Sequence, residues 1–396
     1  MQRDEQLRVI DALMKHLDEG TNVDAGCQVR NPSSSYTCPD IAKSEWQRFF
    51  QDYPQVVGLS ADLPNPRSFF TSSDLGKPVL CTRDDDGRFH AFLNVCRHRG
   101  TIVESEARGE KRQFNCPFHA WGYNHKGELI AVPKENHFGP VDRSCHGLVE
   151  LPAVERYGLL WVHPDPEGEL QVDALLGELA PELESWQLDR FVRHGDATYP
   201  TAMNWKLAID TFGETYHFNT LHRDSLAETF YGNVQLYDRY QRNHRMMLCM
   251  KNIEALRDEP REQWDVRRAA LPVYYLFPNV QLIIGMGGPT LVRVYPKGEN
   301  PNQSLSQISF YIDPQILEAA KDPEFAERYR QITDRMEGFA SVIRDEDYVA
   351  AALSHLGALS GAQEYVTYGR NEPALHHYHN TYREALGMAP LEVISN

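Results

Sequence analysis

Two short segments that each combine a cysteine with a histidine constrain this chain most. The segments are Cys96-Arg-His98 and Cys116-Pro-Phe-His119, and seventeen residues separate them. Thiolates suit iron–sulfur clusters and zinc, whereas imidazoles suit iron, copper or zinc. A [2Fe–2S] centre that carries two cysteines on one iron and two histidines on the other uses this set of ligands.

Zinc is the main alternative for these four residues. Zinc fingers usually place two cysteines together and two histidines together, whereas each segment here mixes the two types. The mixed pairs therefore favour the iron–sulfur interpretation. Ordinary core or surface positions are a third interpretation, which four ligand-type residues in two tight pairs disfavour.

The residues around these segments predict a β-rich domain over residues 42–165. Two strands, at 78–82 and 89–94, flank the turn sequence Asp84-Asp-Asp-Gly87. The stretch Pro164-Asp-Pro-Glu-Gly168 breaks the pattern and marks a boundary. A chain of 396 residues has room for a second domain, which we place at 1–41 and 166–396.

The second domain reads as α+β from the order of its predicted elements. Its hydrophobic patterns predict strands and helices in alternation. We expect strands at 273–277, 280–284, 290–295 and 305–312, and helices at 1–19, 204–222, 325–341, 347–359 and the end of the chain.

A second candidate metal site lies in the predicted helix at 204–222. His217 and His222 are five residues apart, which puts them about 140° apart on an ideal helix. Both reach one metal only if the helix ends or distorts between them, for example at a π-bulge. Glu214 shares a helical face with His217 and can orient its imidazole.

A facial triad of ligands on iron needs one more carboxylate. Three acids, Asp345, Glu346 and Asp347, stand together at the start of a predicted helix. Helix capping and the helix dipole alone would explain acids at that place.

The segments Cys96–Gly100 and Cys116–Gly122 resemble the Rieske loops of the ring-hydroxylating non-heme iron oxygenases, in the α (terminal oxygenase) subunit. Ala120 stands where that family usually has glycine. The resemblance implies that Cys96 and Cys116 hold the inner iron of the cluster. It assigns His98 and His119 to the outer, more exposed iron.

The block from Asn204 to His222 resembles the mononuclear Fe(II) motif of the same family. By that resemblance His217 and His222 bind the iron, and Asp347 is the third ligand, with Asp345 in reserve. Glu214 would link the iron site to the neighbouring subunit's cluster in electron transfer. Many ring dioxygenases carry Asp at that position, and the longer Glu resembles the carnitine and glycine-betaine branch.

The resemblance implies a Rieske domain and a catalytic domain whose antiparallel sheet is flanked by helices. It implies a terminal oxygenase that hydroxylates an organic, aromatic substrate with O2. The alternative is a monooxygenase or demethylase that cleaves the C–N bond of a methylated amine. An electron carrier without oxygenase chemistry would lack the second domain.

The expected partners follow from the motifs and from the charge. No G-x-G-x-x-G fingerprint is present, so a separate NAD(P)H-dependent reductase, with or without a ferredoxin, should supply electrons. The family's head-to-tail electron route implies a homotrimer. A net charge of −16 argues against a nucleic-acid partner. The sequence contains no run of 18 apolar residues, so no membrane-spanning helix is predicted. Seven scattered cysteines predict a cytoplasmic protein.

The substrate does not follow from the sequence. Candidate pocket residues are apolar. Three tyrosines could form a cage for a quaternary amine, or they could equally be core residues. The apolar candidates are Phe212, Phe218, Phe230, Phe277 and Ile284, and the tyrosines are Tyr216, Tyr231 and Tyr275. His376, His377 and His379 near the end of the chain are expected to have structural or surface roles.

Overall fold

The computed structural model describes residues 1–394, and these fold into two compact units. The first unit contains residues 1–46, 173–186 and 191–396, whereas the second contains residues 47–172 and 187–190. Helices and antiparallel sheets are combined in the chain, which confirms the predicted α+β class.

The second unit is built from three antiparallel sheets. Its five-stranded sheet has the spatial order Glu150–Leu151, Phe89–Leu93, Val79–Arg83, Ser68–Ser72 and Arg108–Glu110. The two three-stranded sheets have the orders Ala153–Arg156, Leu159–Val162, Gln55–Leu59 and Phe114–Asn115, Gly122–Tyr123, Leu129–Ala131.

The predicted hairpin in this unit is confirmed. Val79–Arg83 pairs with Phe89–Leu93, and the Asp84 carboxylate accepts hydrogen bonds from the backbone N–H groups of Asp86 at 3.0 Å and Arg88 at 2.8 Å. Gly87 has φ +79°, which a residue without a Cβ adopts at little cost. The turn chemistry therefore fixes the register of the two strands.

A seven-stranded antiparallel sheet is the centre of the first unit. Its four predicted strands are confirmed, and the other three were not predicted. The spatial order is Val192–Thr201, Asn300–Ile312, Pro289–Lys297, Val280–Ile284, Ala270–Leu276, Asn243–Met250 and Phe230–Tyr240. A small sheet has the order Tyr365–Tyr368, Gln28–Pro32 and Glu392–Ile394.

α-Helices and 3₁₀ segments connect the strands. The α-helices are Arg3–Glu19, Ser34–Thr37, Pro39–Glu45, Glu135–Phe138, Val172–Leu176, Ala180–Ser185, Trp205–Asp210, Val266–Ala269, Pro314–Ala319, Pro323–Val342, Tyr348–Leu359 and Pro373–Ala385. Two π-helical segments are Trp46–Gln51 and Ile343–Asp347. The 3₁₀ turns are Ser60–Asp62, Arg143–Cys145, Gly177–Leu179, Leu188–Arg190, Leu226–Glu228, Lys251–Asp258 and Arg261–Gln263.

The first helix packs on the large sheet. Val9, Ile10 and Leu13 are fully buried in a cluster that includes Met247 and Cys249 of the sheet. Each such side chain contributes about 1.5–3 kcal/mol when it leaves water. The guanidinium of Arg245 lies under the same helix and pairs with Glu5, Glu182 and Asp238.

Candidate metal centres

The two cysteine–histidine segments form a pair of equivalent turns. In one turn the N–H of Gly100 donates to the carbonyl of Cys96 at 2.9 Å, and in the other the N–H of Ala120 donates to the carbonyl of Cys116 at 2.8 Å. The fourth residue after each cysteine is left-handed, with φ +76° at Gly100 and +56° at Ala120.

Ala120 therefore occupies a backbone conformation that favours glycine. The left-handed region costs roughly 1–2 kcal/mol for a residue that carries a Cβ. The glycine usual at this position follows from that cost, because the turn needs positive φ. Ala120 itself is exposed, so its methyl group has room.

The thiols of this site are buried, whereas the histidines lie further out. Cys96 and Cys116 belong to a core cluster with Trp121 and Tyr123. His98 is half-buried, His119 is exposed, and their rings lie 4.7 Å apart. Burial raises the pKa of the Cys116 thiol.

Tyr123 joins the two turns at the cysteine side. Its hydroxyl lies 3.4 Å from the sulfur of Cys96 and accepts the N–H of Arg97 at 3.0 Å. A hydroxyl so placed can donate to a thiolate, and such hydrogen bonds set cluster potentials. Paired thiols inside and paired imidazoles outside fit a two-iron cluster better than one tetrahedral ion.

The Asn204-Trp-Lys segment anchors the start of the second site. Asn204 caps the helix Trp205–Asp210 through the N–H of Lys206 at 3.0 Å, and its amide donates to the carbonyl of Tyr36 at 2.9 Å. Trp205 donates to Glu45 at 3.0 Å, and the ammonium of Lys206 pairs with the same carboxylate. Both partners of this ion pair are buried, so the segment is tied firmly to the preceding helices.

The predicted helix over 204–222 is wrong beyond Asp210. The helix ends there, and the chain continues in turns to Ser225. A Cβ at Gly213 would lie 2.5 Å from Leu375, so the chain passes too close for any other residue. Because the helix ends before His217, the expected angle of about 140° between the two histidines does not apply.

The structure brings His217, His222 and Asp347 to one point, which we call the metal triad. Their ligand atoms lie within 4.8 Å of one another. The two Nε2 atoms are 3.1 Å apart, and one oxygen of Asp347 lies 3.5 Å from Nε2 of His217 and 3.3 Å from that of His222. Two imidazoles and one carboxylate on a shared point match the donor set of non-heme iron sites.

Each imidazole of the triad is oriented by a carboxylate on its other nitrogen. Nδ1 of His217 contacts Glu214, and Nδ1 of His222 lies 2.8 Å from Glu346. These contacts point both Nε2 atoms toward Asp347. The role of Glu346 was missed in the sequence, where an acid at a helix start had a simpler explanation.

Asp347 immediately precedes the helix Tyr348–Leu359, but its φ of −58° and ψ of −53° are helical and its side chain caps no backbone N–H. The helices Pro323–Val342 and Tyr348–Leu359 join through the π-helical turn Ile343–Asp347. Asp345 is exposed and pairs with Arg344, so it is not part of the triad. The wider π turn places Glu346 and Asp347 together at the site, which is a known use of such turns.

Comparison with known proteins bears directly on these two sites. The model of the ring hydroxylating alpha subunit (catalytic domain) matches residues 188–388, more than half of the chain. The model of the Rieske [2Fe-2S] domain matches residues 53–152. The chain belongs to the ring-hydroxylating α-subunit family.

Relatives of two kinds are similar to this Rieske oxygenase. Choline monooxygenase of Spinacia oleracea is 26% identical over 90% of this chain and 78% of its own length. The large oxygenase component of the naphthalene 1,2-dioxygenase system of Ralstonia sp. is 35% identical over 41% of this chain and 38% of its own.

A solved structure shares the fold. The quaternary ammonium Rieske monooxygenase CntA, in complex with L-carnitine, superposes with a TM-score of 0.74 at 19% identity, over 91% of this chain and 96% of that one. The protein is thus an oxidoreductase of the Rieske oxygenase class. Its cofactors are a [2Fe–2S] cluster and a mononuclear iron, and the zinc and electron-carrier interpretations are excluded.

The charges around the triad prepare it for a cation. Burial lowers the pKa of His217, but the hydrogen bonds of Asp347 and Glu214 outweigh it and raise the pKa to about 9. For His222, burial is likewise outweighed, mainly by Asp347, and the pKa is raised. Iron binding at these two imidazoles would therefore compete with proton binding.

An apolar cavity lies against one side of the triad, and we call it the substrate pocket. Its wall contains Glu214, the metal triad, Thr211 and ten apolar side chains. These are Phe212, Phe218, Leu226, Phe230, Leu248, Leu271, Val273, Ile283, Phe339 and Ile343. Phe212, Phe218 and Phe230 were predicted here.

The three tyrosines considered for a cage do not line this pocket, and two of the apolar candidates are also elsewhere. Tyr216 is 66% exposed, Tyr231 packs beside the first helix, and the buried hydroxyl of Tyr275 donates to the carbonyl of Pro278 at 2.8 Å. Phe277, in the turn after Ala270–Leu276, and Ile284, in a strand of the large sheet, are both buried and do not line the wall of the pocket as described.

The three C-terminal histidines lie in buried contacts. Nε2 of His376 donates to the carbonyl of Gly369 at 2.9 Å, and Nε2 of His377 donates to that of Gln241 at 3.0 Å. His379 contacts Asp210 at 2.9 Å.

No helix among residues 1–394 is both long and apolar enough to cross a membrane.

Proposed function

We propose that this chain is the terminal oxygenase component that hydroxylates an apolar, aromatic substrate. The apolar pocket directly beside the metal triad is the observation that carries the substrate class. When bound, the mononuclear iron activates O2 with electrons that the cluster supplies one at a time. We assign the triad to the iron, and Cys96, His98, Cys116 and His119 to the cluster in a domain over residues 42–165.

The composition of the pocket wall supports a neutral substrate. Glu214 and Asp347 are the carboxylates of the wall, and both already contact imidazoles. Lysine and arginine are missing from the wall as described, so it offers no partner for a substrate carboxylate. Burying a charge without a partner costs several kcal/mol, which a zwitterionic substrate would incur here.

A methylated amine is the second candidate, and two observations favour it. The similarity to choline monooxygenase covers 90% of the chain. Phe212, Phe218, Phe230 and Phe339 all line the pocket, and aromatic faces attract quaternary ammonium groups. An ammonium without a carboxylate, such as choline, would meet the chemistry of this pocket better than carnitine would.

The partners and the assembly are proposals that family membership supports. We propose a separate NAD(P)H-dependent reductase, with or without a ferredoxin, as the electron donor, and a homotrimer as the assembly. Glu214 would join electron transfer between neighbouring subunits. The seven cysteines are scattered along the chain, which supports a reducing compartment such as the cytoplasm.

A metal analysis followed by a substrate screen tests the proposal. We expect about three irons and two acid-labile sulfides per chain, with a red-brown colour. With a surrogate reductase, naphthalene or indole should give product in proportion to the O2 consumed, whereas choline and carnitine should not. Zinc without labile sulfide would refute the site assignment, and coupled turnover of choline alone would establish the second candidate.

A further inference from the structure

The substrate pocket is too small for the substrates considered above. Its cavity volume is about 40 Å³. An engineered apolar cavity that binds benzene has a volume of about 150 Å³. Indole, naphthalene and choline all have more non-hydrogen atoms than benzene. A part of the wall must therefore move before a substrate of either class can enter.

The sheet side of the wall is fixed. Leu248, Val273 and Ile283 of the wall lie in three neighbouring strands of the large sheet, and each of these strands pairs with another strand on both of its sides. All three side chains are more than nine-tenths buried. A shift of any of these strands would break backbone hydrogen bonds on two sides, so the sheet does not open the pocket.

The metal side of the wall is fixed as well. The turn Leu226–Glu228, which contributes Leu226 to the wall, is tied to a ligand of the metal triad, because the N–H of Ala227 donates to the carbonyl of His222 at 3.0 Å. The ammonium of Lys251 donates to the carbonyl of Ala227 at 2.6 Å and so joins the same turn to the sheet.

The third part of the wall comes from the helix Pro323–Val342, which contributes Phe339. Ala340 is the one buried residue of this 20-residue helix, whereas the 13-residue helix Pro373–Ala385 buries eight. Within residues 1–394, the side-chain hydrogen bonds and ion pairs of the helix stay inside it or reach its capping residue Asp322. An element held by so few buried side chains opens at a low free energy.

The inner face of this helix rests on a glycine. A Cβ at Gly287 would lie 2.7 Å from Ile332 and 3.6 Å from the sulfur of Met336, so the helix contacts the backbone of the loop there. The loop itself is held, because the carbonyl of Gly287 accepts the N–H of Asp313 at 2.9 Å. Dispersion contacts of this kind are individually weak, so the helix can leave the loop without breaking a hydrogen bond.

Both ends of the helix are suited to a pivot. A short turn separates its first residue from the helix Pro314–Ala319, and the π-helical turn Ile343–Asp347 follows its last residue. Hinges are usually a few residues at the ends of an element. Asp347 is the last residue of the π-helical turn, so Phe339 can swing out while Asp347 keeps its place in the metal triad.

We propose that the helix Pro323–Val342 is a lid, which leaves its seat on Gly287 to admit the substrate and returns to cover it. Opening takes Phe339 out of the wall and gives the cavity the volume that a substrate needs. This role rests on the proposed function, and it holds for an arene and for a methylated amine alike.

Distances between spin labels in the holoenzyme measure this motion without turnover. A Cys145→Ser background removes an exposed native thiol. The lid pair is Asp334→Cys with Glu299→Cys, and the control pair is Glu384→Cys with Glu299→Cys; all three positions are exposed. We expect two distances for the lid pair, one for the control pair, and a single distance for the lid pair once indole is bound.

One unchanging distance for the lid pair, with and without indole, would overturn the proposal. The measurement on the free protein does not depend on the identity of the substrate. If the wild type turns over no substrate, the proposed function therefore fails, while the spin-label distances still decide whether the helix moves.

A disulfide across the seat tests whether the motion admits substrate. Gly287→Cys with Ile332→Cys replaces two groups that already meet, and mild oxidation should join them. The oxidised holoenzyme should keep its iron and take up indole more than about 10-fold more slowly, and reduction should restore the rate. Ile332→Cys alone, treated in the same way, is the control. Uptake at the wild-type rate in the oxidised double variant would overturn the proposal.

Gly287→Ala tests the seat from the opposite side. Its Cβ would displace Ile332, so the lid pair should shift toward the open distance and indole should enter faster than in the wild type. Gly338→Ala is the matched control on the lid itself, where a Cβ meets nothing within 4 Å, and it should behave like the wild type. Equal behaviour of the two variants would overturn the assignment of Gly287 as the seat.

Discussion

Two histidine pairs in the same unit have opposite properties. His217 and His222 face Asp347, and Glu214 and Glu346 contact their other nitrogens. His244 and His377 also lie close together, with 2.9 Å between their Nδ1 atoms, but the neighbouring rings are tyrosines: Tyr237, Tyr275 and Tyr378.

The protonation of the two pairs follows these surroundings. Burial lowers the pKa of His377 to about 4 and that of His244 well below its usual range, whereas carboxylates raise that of His217 to about 9. Nε2 of His377 donates to a carbonyl, so its Nδ1 accepts the proton of His244. Two imidazoles that lie close together are therefore not enough to form a cation site. The carboxylates that surround the imidazoles are also needed.

The largest expected effect comes from removing an imidazole of the triad. His217→Ala should lower turnover by more than about 100-fold and remove the mononuclear iron, because even partners outside the ligand set matter 10–100-fold. The visible spectrum of the cluster should be unchanged. His377→Gln is the control and should keep all of its iron; loss of iron there would show that the two pairs do not differ as described.

A smaller effect is expected when an orienting carboxylate is neutralised. Glu346→Gln should lower iron affinity or turnover by about 10–100-fold, because His222 loses the partner that fixes its ring. Asp345→Asn, at the exposed neighbouring acid, should be silent. Equal behaviour of these two variants in an iron-binding titration would remove Glu346 from the site.

Glu214→Gln sharpens the same point for the first histidine. If Glu214 carries electrons between subunits as well as orienting His217, the variant should bind both cofactors and yet oxidise its cluster slowly in a single turnover. Glu346→Gln should reduce iron binding instead. Wild-type cluster oxidation in Glu214→Gln would leave Glu214 with no part in electron transfer.

The smallest effect concerns the free energy of unfolding of the metal-free protein. Its dependence on pH should have opposite signs for the two histidine pairs. The raised pKa of His217 stabilises the fold below pH 6.5, and that contribution is lost as pH rises to about 9. The lowered pKa of His377 makes stability fall as pH drops from 6.5 to about 4. Each contribution is about 1–3 kcal/mol.

Denaturant titrations across this pH range check the prediction. Metal-free protein should be most stable near pH 6.5, and iron should remove the loss on the alkaline side, because the metal then replaces the protons. A His377→Gln variant should flatten the acid side alone. A stability curve whose alkaline side is unaffected by iron would contradict the assignment of His217.

The ligand-type residues could be predicted from the sequence, but their supports could not. Cysteine and histidine spacing is local, so the residues of both metal sites were visible in the chain. Glu346 lies 124 residues from His222, and only folding brings them together. Likewise Gly213, just beyond the early end of the helix predicted over 204–222, packs against Leu375, and no local pattern contains that contact.

The missed strands have a related cause. Val192–Thr201 alternates exposed and half-exposed residues, and it carries polar side chains that hide the hydrophobic period of a strand. Asn243–Met250 is buried almost throughout, yet it contains Arg245, and two of the three carboxylate partners of Arg245, Glu5 and Glu182, come from distant segments. Tertiary partners, rather than local propensity, decide both elements.

The π-helical turn Ile343–Asp347 joins two helices into one continuous helical segment that lines two cavities. Phe339, before the turn, and Ile343, the first residue of the turn, line the substrate pocket, whereas Ala351 and Ser354, after the turn, line a second cavity. Deleting a single residue from the turn would rotate one half of the segment against the other by about 100°. A change in this helical segment that alters the shape of the substrate pocket would therefore also alter the second cavity.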